Sequence, residues 1–221
     1  MKLARALSLL VTAASIGGSG CALISKSDPV VPRYFSPEHA TAAGPALAAS
    51  AAAPLELRLG RVNAGAYIRD KLVFRSSAYE VGYYEERRWT EKPEAYVRRA
   101  LARALFDSRG VHQVVSGAAP TLEVEMTAFE EVLGPPHIGR IQLDFTLQDD
   151  RVVRTARTVV INRPIADAKG DAAADATVAA LASALDAAVQ TTADAVTAEL
   201  ASESTAASRL HLANPGQESS R

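Results

Sequence analysis

Between Thr121 and Ile161 the chain alternates apolar and polar residues with a period of two through successive stretches. Leu122, Val124 and Met126 alternate with Glu123 and Glu125 inside Thr121–Leu133. Ile141, Leu143, Phe145 and Leu147 alternate without a break inside Arg140–Gln148, and Val152–Ile161 follows. Successive side chains on a strand point to opposite faces, so this pattern fits strands of a sheet with one buried face and one polar face. Gly134-Pro135-Pro136 and Asp149-Asp150 occupy the junctions, and such residues turn a chain rather than extend a strand. Strands adjacent in sequence tend to be neighbours in space, so an antiparallel meander is expected here.

The remaining elements fit around that sheet. Leu55, Leu57 and Leu59 alternate with Glu56, Arg58 and Gly60, and Asn63-Ala64-Gly65 ends this strand. Lys71–Arg75 and Tyr79–Glu85 are short strand candidates joined through Ser76-Ser77, and Val111–Val115 is another. A helix starts near Thr90, a residue able to cap it, with Pro93 in its first turn. Its apolar face is Val97, Leu101, Ala104 and Leu105, and Gly110 stops it. Asp171–Ala201 forms a long Ala-rich helix with one stripe of Val178, Leu181, Leu185, Val189, Val196 and Leu200. The expected fold is α+β: a mostly antiparallel sheet of about six to seven strands, order β-β-β-α-β-β-β-β-α, with two helices packed on one face. The other face is left to solvent, a partner or a second subunit.

The start of the chain has a different character. Lys2 and Arg5 precede an apolar run of about ten residues, Leu7–Ile16, and then small residues lead to Cys21, the sole cysteine. That run is about half the length needed to cross a bilayer as a helix, so residues 1–20 read as an export leader. Ser19 and Gly20 resemble the −2 and −1 positions of a bacterial lipobox, with Gly18 where Leu is usual at −3. By that resemblance Cys21 is the lipid anchor, and Ala22 at +2 implies sorting to the outer membrane, on its periplasmic face. An ordinary secretory leader, cut at a nearby alanine, is the alternative. A lone cysteine excludes an intramolecular disulfide. Residues 21–53 carry scattered prolines and Ala-rich low complexity and read as a tether, which could stretch to about 100 Å. Within it, residues 30–36 hold Pro32-Arg33-Tyr34-Phe35, which is read equally as linker or as an edge strand. Residues 54–201 are the expected domain, and 202–221 a disordered tail.

No residue stands out for catalysis. His39, His112, His137 and His211 are scattered, without helical spacing or a cysteine to join them, so neither a metal site nor a cofactor is expected. There is no nucleophile elbow and no phosphate loop. Asp149-Asp150, Glu85-Glu86 and Glu130-Glu131 read as solvated pairs. A net charge of −1 offers nothing to nucleic acid. What is uneven is the aromatic distribution. Tyr67, Tyr79, Tyr83, Tyr84, Trp89 and Tyr96 fall within thirty residues and are interleaved with Arg69, Arg75, Arg87 and Arg88. Tyr, Trp and Arg are enriched at binding hot spots, though the same residues also fill cores and snorkel their polar tips outward. The candidate partner-binding residues are Tyr67, Arg75, Tyr83, Tyr84, Arg88 and Trp89. Tyr83 and Tyr84, being adjacent, point to opposite faces.

Leu72-Val73-Phe74-Arg75, a tyrosine-containing strand, Arg88-Trp89, and Pro93 opening a helix with Val97 and Leu101 resemble the ABC-type transport auxiliary lipoproteins. These include the lipoprotein of the paraquat-inducible systems. Phe74 stands where that pattern has Tyr, and the Ala-rich insertion between Phe35 and Leu55 departs from a compact start. The resemblance implies a non-catalytic periplasmic accessory to an ABC transporter of lipids or other hydrophobic molecules, partnered by an MCE-domain protein. A homo-oligomer is compatible with it. The alternatives are an envelope lipoprotein that binds lipid itself, between the sheet and Ala172–Ala201, or one with a structural or assembly role.

Overall fold

The computed structural model describes residues 30–38, 55–150 and 152–213. Residues 1–29, with the leader and Cys21, residues 39–54 of the tether, residue 151 and residues 214–221 lie outside the described residues. The folded unit begins at Pro32.

Its strands are β1 (Arg33–Phe35), β2 (Glu56–Ala64), β3 (Lys71–Arg75), β4 (Val81–Trp89), β5 (His112–Gln113), β6 (Thr121–Val132), β7 (Ile138–Gln148) and β8 (Val153–Pro164). Helix α1 (Pro93–Ala102) continues into a π-helical turn, Arg103–Asp107, and α2 spans Asp171–Ala213. Arg33–Phe35 is therefore a strand, and it pairs with Arg87–Trp89. The order gains this first strand, β-β-β-β-α-β-β-β-β-α, in an open sheet of eight strands.

The sheet is mixed, which corrects the mostly antiparallel expectation. The meander β6–β7–β8 and the β3–β4 hairpin are antiparallel. The pairs β1–β4, β2–β5, β2–β6 and β3–β6 run parallel. Short turns impose antiparallel pairing, whereas parallel pairs need a crossover; α1 lies within the connections of β2–β5, β2–β6 and β3–β6, and residues 36–80 connect β1 to β4. Strand β6 is long enough to hold β2 along Thr121–Met126 and β3 along Glu130–Val132 on the same edge.

Alternation decides which face is buried. Ile141, Leu143, Phe145 and Leu147 are at most 2% exposed and lie under the helices, while Arg140, Gln142, Asp144 and Thr146 face the other way. A register shift between Met126 and Ala128 changes which β6 residues face inward: Leu122, Val124 and Met126 before it, Phe129 after it. Val97, Leu101, Ala104 and Leu105 of the α1 segment are buried against the same core. Burying each of these valine and leucine side chains contributes about 1.5–3 kcal/mol. Thr90 does not cap α1. Lys92 holds the N-cap position, and the Thr90 hydroxyl pairs instead with the Tyr96 hydroxyl at 2.7 Å.

Helix α2 lies on β7 and β8. A Cβ at Gly139 would come within 3.2–3.3 Å of backbone atoms of Ala180 and Leu181, so glycine sets the closeness of that crossing. Leu181, Leu185, Val189, Val196 and Leu200, with Ala182, Ala184, Ala188 and Ala193, fill the helix–sheet interface. The segment Asp171–Ser202 is long and apolar enough to cross a membrane, but half of its most apolar window is buried in this core. The helix runs on to Ala213 rather than ending near Ala201. Alanine and leucine favour helix there, and the first breakers are Pro215-Gly216.

Candidate functional site

The helices cover one face of the sheet, the loop carrying Tyr67 covers part of the other, and the sequence-nominated cluster divides between the two faces. Tyr83 is 41% exposed and stands opposite Val73 in the β3–β4 register. With Ala66, Tyr67, Arg69, Asp70 and Lys71 it lines an open groove of about 540 Å³. Tyr67 is half-buried in the loop after β2, its hydroxyl donating to the Thr127 carbonyl at 2.7 Å. Burial, and then the negative charge of Glu130, push its phenol above the usual value. Arg88 pairs with Asp70 beside the groove, and Lys71 pairs with Glu85 at 2.7 Å. Tyr34 lies opposite Arg88 in the β1–β4 register and is 62% exposed.

Arg75 is on this open face but is already engaged. Its Nε and Nη2 donate to the two carboxylate oxygens of Glu130 at 2.7 and 3.0 Å, and Arg140 lies 3.8 Å away. Hydrogen bonding to Glu130 raises the Arg75 pKa further. Glu130 is 1% exposed, which corrects its reading as a solvated carboxylate. The signal was its place inside a long alternating strand.

Tyr84 and Trp89 point to the helix side. Trp89 is 2% exposed, stacks on Phe129 with centroids 5.0 Å apart, and meets Tyr96 edge-on at 6.4 Å. It is a core residue and offers a partner no surface. Tyr84 packs on Phe74 at 5.0 Å, with the Arg87 guanidinium 4.0 Å above its ring. Its hydroxyl donates to Glu131 at 2.9 Å. Burial first, then that hydrogen bond, push the Tyr84 phenol far above its ordinary value. Glu131 is also buried, at 4%, and its other oxygen is 2.6 Å from His137 Nε2. The register shift in β6 turns Glu131 toward the helix side, which corrects its reading as a solvated carboxylate. This knot of Tyr84, Glu131, His137 and Arg87 holds charge in place and brings no nucleophile with it.

A smaller polar recess of about 180 Å³ lies elsewhere on the open face, between Arg61, Asn63, Glu123, Glu125, Asp144 and Thr146. Among the described residues no three His, Cys, Asp or Glu side chains are grouped to hold a metal ion.

The sequence pattern of the ABC-type transport auxiliary lipoprotein component matches residues 39–197. No curated protein matches the chain. The fold is similar to that of protein XCC0632 from Xanthomonas campestris, a DUF330 protein, with a TM-score of 0.65 at 18% identity, over 78% of this chain and 99% of that one. A solved uncharacterised protein is similar with a TM-score of 0.58 at 15% identity, over 75% of this chain and 99% of its own. At such identities the likeness is one of fold.

Proposed function

The chain belongs to the ABC-type transport auxiliary lipoprotein family, and from that membership we propose a non-catalytic accessory that docks a transporter component through its open sheet face. The observation that carries this is the division of faces. The helix-covered side is filled by its own side chains, while the other side presents Tyr83, Tyr67 and Tyr34 beside Arg88. Rigid aromatics next to arginine suit a protein partner. An MCE-domain protein of an ABC transporter is the proposed partner, with Cys21 as the lipid anchor and the periplasmic face of the outer membrane as the location. The filled interface along α2 speaks against an acyl groove between sheet and helices.

Crosslinking in cells followed by purification is expected to recover an MCE-domain protein with the native chain. Tyr83→Ala should reduce that recovery at least tenfold, and consistent absence of such a protein would sink the docking reading. Cys21→Ala should release the protein from the membrane fraction. Retention of that variant would remove the anchor from the account.

A further inference from the structure

Strand β8 has twelve residues and pairs with β7 alone, so among the described residues its other side is a free edge. An edge strand turns a row of unpaired backbone N–H and C=O groups outward, ready to accept another strand. The sheet has other free stretches, but they are irregular. Residues 58–64 of β2 and 81–86 of β4, left beyond β5 and β1, each contain a glycine, Gly60 or Gly82, and a register shift against the strand behind. Such bulges twist an edge away from further pairing. The register of β8 is unbroken from Thr155 to Pro164, against Leu147 to Ile138. Ala156, Arg157, Thr158, Val160 and Asn162 are all exposed, so α2 does not lap over this edge.

The charge on this edge selects what can pair with it. Strand β8 contains Arg154, Arg157 and Arg163 and no carboxylate. Arg154 is paired with Asp149 at 2.6 Å. Arg157 and Arg163 meet only hydroxyls, Thr155 and Ser183, each at 3.3 Å, and among the described residues neither forms an ion pair. Asp186, three residues beyond Ser183 on α2, forms none with them either. Arg157 stands opposite Phe145 and Arg163 opposite Gly139, so both lie on the helix side, six residues and about 20 Å apart. Val159 and Ile161 lie between them on that side, and Val160, 48% exposed, faces the other way. A second copy laid along β8 would add three more arginines and no carboxylate, and like charges on neighbouring strands destabilise pairing. A strand with acidic residues at the matching spacing meets the opposite condition.

We propose that the free edge of β8 takes up an extended, acidic segment of a partner protein as a ninth strand, with carboxylates six residues apart meeting Arg157 and Arg163. Backbone hydrogen bonds to the edge supply the pairing, and the two arginines supply the choice of sequence. Apolar residues of the segment fall beside Val159 and Ile161. The site is separate from the Tyr83 groove, since β3, β6 and β7 stand between β4 and β8. It therefore stands or falls independently of docking at that groove.

The test uses the full chain in nonionic detergent and a dye-labelled peptide, Glu-Thr-Val-Thr-Val-Thr-Glu, which presents the same pattern in either strand direction. Its counterpart carries Lys in place of both Glu. Fluorescence anisotropy should show the acidic peptide binding about tenfold or more tightly than the basic one. Amide hydrogen exchange should slow within Thr155–Arg163 when the acidic peptide binds and stay unchanged in β4. Arg157→Glu with Arg163→Glu should invert the peptide preference. Arg157→Glu alone, at an exposed position, should shift it in the same direction by less, and guards against misfolding of the double variant. Lys92→Glu, an equal change of net charge away from β8, should leave the preference as it is. No binding, equal binding of the two peptides, protection outside β8, or a preference that survives the charge reversals overturns the proposal. So does an oligomer of the full chain in which the β8 amides are already protected and the peptide is excluded, because the edge then holds a second copy.

Discussion

In sequence Arg75 is a candidate partner contact and Glu130 a solvated carboxylate, yet each satisfies the other across the sheet. Arg75→Ala would leave a carboxylate that is 1% exposed without its main counter-charge. Breaking such a pair on one side costs about 3–5 kcal/mol, measurable as a fall in unfolding midpoint in urea. The double change Arg75→Met with Glu130→Leu should recover most of that loss, because replacing both partners removes the buried charge. Tyr83→Ala, at a 41% exposed site, is expected within about 0.5 kcal/mol of the native chain. Loss of binding in Tyr83→Ala therefore reports on docking, whereas loss in Arg75→Ala reports on stability. Glu38, just past β1, titrates differently. Hydrogen bonding from Arg99 holds its carboxyl below the usual range, with desolvation opposing and Arg103 adding to the effect. A lowered folded-state pKa gives stability that is complete above the unfolded value, about 4.3, and is lost as pH falls through the folded one. Glu38→Gln should flatten that acid-side slope, read from urea unfolding between about pH 5 and pH 3.

At the scale of elements, the short apolar run Lys71–Arg75 is β3 as expected, and the strictly alternating Arg140–Gln148 lies within β7. Strand β5 was harder, since only His112 and Gln113 pair, with Glu56 and Leu57. A two-residue strand is made by its partner and leaves no period of its own. The crossing of α2 over β7 was also beyond the sequence, for Gly139 precedes the clean alternation and looks like a turn residue. Gly139→Val should overpack that contact and cost about 1–3 kcal/mol, seen as a lower thermal midpoint with the far-ultraviolet spectrum retained. Toward the end of α2, Leu200 is still buried at 5% exposure. Leu200→Ala should cost about 2–5 kcal/mol, read as a lower unfolding midpoint in urea.

For the whole molecule, the consequence of β1 exceeds its three residues. Read as linker, residues 21–53 allow a reach of about 100 Å; with Arg33 held in the sheet, the reach from Cys21 falls to about 40 Å. Under the proposed anchoring at Cys21, that shorter link would hold the domain near one surface. The sequence by itself determined the class of fold, the helix-facing residues of β7, the stripes of both helices and the family pattern, because each is written in a local period or a short motif. Only the tertiary structure decided that the sheet is mixed, that Trp89 and Tyr84 turn inward, and that Glu130 and Glu131 lie in two separate buried networks. Parallel partners lie across a crossover in the chain, and a register shift reverses which side chains face the helices downstream of it. Neither leaves a trace in the residues next door.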